Sequence, residues 1–211
     1  MLIQYHDSIT RKALTGRFSP RALAAVLAAN LKQDDLLTGQ IGHDEYHYDN
    51  NSIAKSDRYL EEQRTLTLSA LQHDDPSTAW TAFGRLTHTA QDFYAHSNYV
   101  DLWLSRFNTD GQSSPPPSEI APLMEEVIHS PDLRSGKLYY PWEIFAFIPV
   151  IKRFVIPFLP ADSHAHMHLD SPARGERFAY AFEAAVKRTQ YEFDTTVAVL
   201  SSSLEALFTD R

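Results

Sequence analysis

The residues of this chain that can do chemistry are histidines and aspartates, because it contains no cysteine. They are densest in Gly84-Arg85-Leu86-Thr87-His88-Thr89-Ala90-Gln91-Asp92-Phe93-Tyr94-Ala95-His96-Ser97-Asn98. On an α-helix, positions four apart differ by only about 40° around the axis, so His88, Asp92 and His96 form one polar stripe about 12 Å long. That span is too long for one metal ion and suits two, with the carboxylate between them. A lone His-xxx-Asp pair is ordinarily a solvated polar face. Here Leu86, Phe93 and Tyr94 flank the stripe and predict burial, where an unpaired carboxylate is costly and a metal is a good partner. A second cluster, His43-Asp44-Glu45-Tyr46-His47-Tyr48-Asp49-Asn50, precedes one helical pattern, and a third, His164-Ala165-His166-Met167-His168-Leu169-Asp170, precedes another. Only His73 and His129 stand apart, as expected surface residues. Without thiolates, any metal is held by imidazole nitrogen and carboxylate oxygen.

Four long helices are predicted to position these clusters. Ser19-Pro20 pairs a cap with a first-turn proline, and Leu23, Val26, Leu27 and Leu31 carry a helix from about Pro20 to Leu36. Asn50 to Ser52 cap a second, with Ile53, Leu60, Leu66 and Leu71. Asp75-Pro76 opens a third, whose Trp80, Phe83, Leu86, Phe93 and Tyr94 reach about His96. Ser171-Pro172 opens the last, with Phe178, Phe182, Ala185, Phe193, Val197, Leu200 and Leu204 running nearly to the end. Strand alternation is nearly absent, so the fold class is all-α, a helical bundle. The 211 residues form one domain, 1–211, interrupted by a Pro-rich surface loop at 108–122.

Nineteen Lys and Arg against 27 Asp and Glu give a net charge of -8, which disfavours long nucleic acid as a partner. The first residues lack the features of a secretory signal, and no apolar run reaches about 18 uncharged residues. The chain is expected to be cytoplasmic as encoded, any export using a route that needs no signal peptide.

The segment His88-Thr89-Ala90-Gln91-Asp92-Phe93-Tyr94-Ala95-His96-Ser97-Asn98 closely resembles the signature of Het-C-type proteins, named for fungal heterokaryon incompatibility. These are similar in turn to the zinc-dependent phospholipase C and P1-type nuclease superfamily, an all-helical fold with a trinuclear zinc site. The resemblance covers most of the chain, and its specific part is this one segment. It implies that His88 and Asp92 are ligands, with Asp92 bridging two zinc ions. His47 is implied as a further ligand, as are His96 and a pair read as His166 and Asp170, with His164 and His168 as rivals to His166. A third ion would take His6 and Asp34, or Asp35 in that register. The secreted enzymes hold their third zinc through an N-terminal tryptophan, where this chain has Met1, so the resemblance implies two or three ions.

The implied activity is zinc-dependent phosphodiester hydrolysis, most of all phospholipase C-like cleavage of phospholipids. Alternatives are a P1-like single-strand nuclease and a non-catalytic Het-C-like toxin or incompatibility protein with a structural metal site. A carboxylate near the bridging Asp92 would orient the attacking water; Asp49, Asp34 and Asp35 are candidates. The apolar, aromatic segment 139–160, with Lys152 and Arg153, reads either as a helix-loop buried in the core or as a lip beside the site that meets acyl chains or a membrane surface.

Overall fold

The computed structural model describes residues 1–107, 114–146, 148 and 150–211. The principal helices are α1 (Ile3–Leu14), α2 (Pro20–Lys32), α3 (Ile53–Gln72), α4 (Pro76–His96), α5 (Tyr99–Ser105), α6 (Arg177–Ala198) and α7 (Ser202–Thr209), joined by shorter turns. Extended pairing among the described residues is confined to isolated bridges, such as Ser97 with Ser135 and Lys137 with Ser163. Two helices start as their sequences predict. Ser19 Oγ accepts from the Ala22 amide at 3.1 Å ahead of Pro20, and Asp75 Oδ1 from the Thr78 amide at 3.0 Å ahead of Pro76, each satisfying an amide the helix leaves unpaired.

Helix α4 is the central rod, packed by α2, α3 and α6. Its contact with α2 requires Gly84, where a Cβ would come within 2.3 Å of the Val26 carbonyl oxygen. That close crossing brings Asn30 of α2 to Thr87 of α4, Nδ2 to Oγ1 at 3.1 Å, in the layer just above the histidines. Phe18, Phe83, Phe193 and Phe208 interlock across α4, α6 and α7, and Trp80 donates its indole N–H to the Phe208 carbonyl at 2.7 Å.

Several boundaries differ from the sequence pattern, each for a local reason. Helix α2 ends at Lys32, short of Leu36, because the Asp35 carboxylate accepts from the Leu37 and Thr38 amides at 3.1 and 3.0 Å and starts a separate wide turn, Leu36–Gln40. The last helix starts at Arg177 because Pro172–Arg174 is a single tight turn ended by Gly175 at φ 83°. It breaks again before α7, whose Ser201 Oγ accepts from the Leu204 amide. Ser52 sits at the start of α3 without capping it through its side chain. Of the predicted loop at 108–122, residues 108–113 lie outside the described residues; the remainder is fastened to the core by buried Ile120 and by the Tyr180 hydroxyl, which donates to the Pro115 carbonyl at 2.7 Å.

The segment 139–160 is not a core element. Phe147 and Pro149 lie outside the described residues. Of the described side chains in that segment only Glu143 and Leu159 are buried, so the buried-core reading is corrected. No helix among the described residues is long and apolar enough to cross a membrane.

Candidate metal centre

Asp92 lies in the middle of α4 and is 0% exposed, so its charge must be met from within the protein. Its two oxygens face different groups. Oδ2 lies 2.8 Å from His47 Nδ1 and 3.2 Å from His88 Nε2. Oδ1 lies 3.1 Å from His6 Nε2 and 3.9 Å from His96 Nε2, and accepts from the Met1 backbone nitrogen. A carboxylate with four imidazoles divided between its two oxygens has the placement of a bridging ligand.

The far side of each ring determines what its near side offers. The His96 Nδ1–H donates to the His47 carbonyl at 2.7 Å, since a carbonyl only accepts; Nε2 is therefore left facing Asp92, with Asp170 Oδ1 at 3.1 Å. His47 Nε2 sits 3.3 Å from the Gly39 carbonyl, which leaves Nδ1 toward Asp92. His6 Nδ1 lies 2.6 Å from Gln91 Oε1, whose amide nitrogen is spent on the Thr10 and Thr189 hydroxyls at 3.0 and 3.1 Å. His6 Nε2 is thereby presented to Asp92, oriented by a buried network as metal-ligating imidazoles are.

Three sets of donor atoms each converge within 4.8 Å: His6, His88 and Asp92; Asp34, His47 and His88; and Asp49, His96 and His164. Asp170 adjoins the third set through His96 and lies 3.3 Å from the Met1 nitrogen. Several of these atoms are buried without a hydrogen-bond partner, namely His6 Nε2, Asp34 Oδ2 and Asp49 Oδ1. Buried polar atoms of a folded protein are nearly always paired, and a cation is one partner that would satisfy these. The donors are nitrogen and oxygen only, and their buried, convergent arrangement fits zinc.

The charged groups of the site shift one another's ionisation. Burial by itself would raise the Asp92 carboxyl, yet the Met1 amine, His96, His6 and His88 hold it far below the usual range. Asp170 is likewise held low against burial, chiefly by the Met1 amine, and Asp49 by His164 and His96. Burial would lower the Met1 amine, but Asp92, Asp170 and Asp34 raise it to about 11. Burial and neighbouring His6 push His88 well down, and burial takes His164 to about 4, keeping both neutral as ligands must be. His96 goes the other way: burial and the amine lower it, and Asp92, Asp49 and Asp170 outweigh them. The amine and His96 offset the carboxylates.

The loop clusters reach the site through unusual backbone. Tyr48, Asn50 and Asn51 take left-handed φ values of 56°, 56° and 54°, and this sharp turn delivers Asp49 beside His96, Nδ1 to Oδ1 at 3.2 Å. The turn is fastened by the Asn50 amide to the Gly136 carbonyl at 2.7 Å and by the Ser135 amide to Asn51 Oδ1 at 3.0 Å. Gly136 is required there, because a Cβ would lie 2.7 Å from His164 Cα.

Of the sequence-predicted residues, His6, Asp34, His47, Asp49, His88, Asp92, His96 and Asp170 come together; His166 does not. Residues two apart on a helical turn point to nearly opposite sides, so His164–Met167 can turn only one of its first two histidines inward. His164 is the buried one, and His166 Nε2 instead meets the Ile156 carbonyl at 2.9 Å on the outside. His168 sits beside Asp170, Nδ1 to Oδ2 at 2.8 Å. Asp35, the alternative to Asp34, is spent on its own turn. Sequence reasoning missed the Met1 nitrogen and Gln91, although Gln91, one residue before Asp92, lies inside the signature segment.

A family model described as the VWA7 N-terminal domain matches residues 5–128, which include His6, Asp34, His47, Asp49, His88, Asp92 and His96. No curated protein and no solved structure matches the chain.

Proposed function

This chain belongs to the VWA7 N-terminal domain family, and from that premise we propose that it is a zinc-dependent phosphodiesterase acting on phospholipids in the manner of phospholipase C. The observation that carries the reading is Asp92, a buried carboxylate with four imidazole nitrogens within 3.9 Å, among donors that lack hydrogen-bond partners. Asp92 and His88 of α4, with His6, Asp34 and His47, would hold the inner ions, and His96, His164 and Asp170 would hold the outer one. Zinc in these positions supplies a Lewis acid for the phosphoryl oxygens and a water acidic enough to attack phosphorus near neutral pH. The positive charge of the ions, set against the carboxylates of Asp34, Asp49, Asp92 and Asp170, would let a monoanionic diester be received by a protein whose net charge is -8. Asp49, with Oδ1 free of hydrogen bonds and its side chain 16% exposed, orients the attacking water and takes its proton.

Phospholipid is favoured over single-stranded nucleic acid by the exposed apolar segment next to His164 and by the acidic balance of the chain. The test is hydrolysis of a short-chain phosphatidylcholine, bis(p-nitrophenyl) phosphate and single-stranded DNA by zinc-loaded protein, with and without chelator. Chelator-sensitive cleavage of the lipid is expected. Preference for DNA would transfer the reading to a P1-like nuclease. Bound zinc with none of the three cleaved would leave the non-catalytic Het-C-like reading, and absence of metal binding would remove all of them.

A further inference from the structure

Half of the sixteen large hydrophobic side chains that stand exposed among the described residues fall between Tyr140 and Phe158. Tyr140, Trp142, Val150, Phe154 and Phe158 are each between 61% and 87% exposed. Single exposed apolar residues need no explanation, but a contiguous run of this kind marks a surface that meets something apolar. A second apolar turn, Leu36–Gln40 with Ile41 after it, exposes Leu36, Leu37 and Ile41 by 61% to 77%.

Both segments are joined to the metal centre. The Gly39 carbonyl, in the shorter turn, faces His47 Nε2 at 3.3 Å. Glu143, in the longer one, is buried, and its Oε1 accepts from the Ala165 amide at 2.6 Å, one residue beyond His164.

Charge identifies the occupant. Between 139 and 160 the ionisable acids and bases other than tyrosine are Glu143, which is buried, and Lys152 and Arg153, which are exposed. The shorter turn, 36–41, carries no charge at all. The lip is therefore apolar and cationic on a protein that is otherwise acidic, and Arg153 rests over the Phe154 ring at 4.6 Å, the arrangement of a cation held at a boundary between oil and water. We propose that the 139–160 and 36–41 lips dock the protein on an anionic phospholipid surface, seating Trp142, Phe154 and Phe158 among the acyl chains and Lys152 and Arg153 among the headgroups, with the metal centre facing the membrane. This deepens the phospholipid reading above and rests on it for the identity of the scissile molecule.

Trp142 is the native reporter, since the other two tryptophans, Trp80 and Trp103, are buried. Titration with vesicles of 30 mol% phosphatidylserine in phosphatidylcholine, followed by Trp142 emission and by co-sedimentation, is expected to give a blue shift and saturable binding. The double change Lys152→Gln, Arg153→Gln is expected to weaken binding roughly 30-fold at low salt, from about a tenfold or smaller step per cation near an anionic surface. Phe154→Ser with Phe158→Ser should abolish the shift while circular-dichroism melting stays at the wild-type temperature. Absence of any shift, or binding to pure phosphatidylcholine that equals binding to the anionic vesicles and ignores both double variants, overturns the proposal. So does sedimentation of the free protein as a dimer that the Phe154 and Phe158 changes dissociate, because the occupant is then a second copy. Hydrolysis of a soluble short-chain diester by the same proteins separates the two ideas: intact hydrolysis without vesicle binding removes the docking alone, and vesicle binding without hydrolysis removes the enzymatic reading alone.

Discussion

At Glu192, in α6, two arginines close a buried charge. Arg64 grips the carboxylate with Nε and Nη2 at 3.0 and 2.8 Å, Arg188 adds Nε at 2.6 Å, and neither Glu192 oxygen is left without a partner. Around Asp92, in α4, the Met1 amine and His96 oppose the carboxylates, and His6 Nε2, Asp34 Oδ2 and Asp49 Oδ1 are left without hydrogen-bond partners. Both clusters bury ionised carboxylates beside the same central helix. One has both carboxylate oxygens paired as folded; the other leaves polar atoms unpaired, which the proposed zinc ions would meet. Burial of charge therefore does not by itself identify a functional site; the two clusters are separated by unpaired His and Asp atoms that converge within one of them.

Substitutions at the two carboxylates should separate in kind. Asp92→Asn keeps the side-chain shape and the helix, since Asn and Asp have similar helix propensities. It should remove zinc and lower any hydrolysis by about 100-fold or more, because loss of even an outer partner of a ligand costs about 10- to 100-fold. His73→Ala, on the surface, is the matched control, and full zinc content in Asp92→Asn would erase the contrast. Glu192→Gln should do the reverse. Removing one member of a buried ion pair strands the arginines at a cost of about 3–5 kcal/mol. Urea unfolding should show that loss while zinc per folded chain stays constant.

The same pair gives the comparison a pH axis. Burial raises the Glu192 carboxyl, but Arg188 and Arg64 together bring it below its ordinary value. A carboxyl lowered on folding adds stability that is fully present above the unfolded value, about 4.3, and is lost as pH falls through the folded value. The stability gap between wild type and Glu192→Gln should be flat from pH 6 to about pH 5 and narrow below that; a gap that widens on acidification would refute the assignment. The smallest effects belong to the histidine that points outward. His166→Ala should change stability by less than about 0.5 kcal/mol and leave zinc content intact, whereas His164→Ala should lower it. Equal zinc loss in the two would place the third cluster wrongly.

The α4 stripe was legible because a helix repeats locally: His88, Asp92 and His96 share a face whatever the rest of the chain does, and apolar neighbours foretell its burial. The caps at Ser19-Pro20 and Asp75-Pro76 were legible for the same reason. The choice between His164 and His166 was not, since it depends on the close pass of Gly136 and on Ser163 pairing with Lys137 across the chain. Helix α1, which carries His6, has a readable pattern in Ile9, Ala13 and Leu14, but the Met1 nitrogen that reaches Asp92 has no side-chain signature. Apolar composition left the 139–160 segment open between core and surface, a question decided by whether the helices already fill the core among themselves.

The most direct test of the central claim is an anomalous difference map at the zinc absorption edge from crystals of the purified protein. At least two peaks are expected, with Asp92 shared between them and His6, His47 and His88 among the ligands. A map without peaks from crystals grown with zinc, in which His6, His47 and His96 simply donate protons to Asp92 and Asp170, would contradict it.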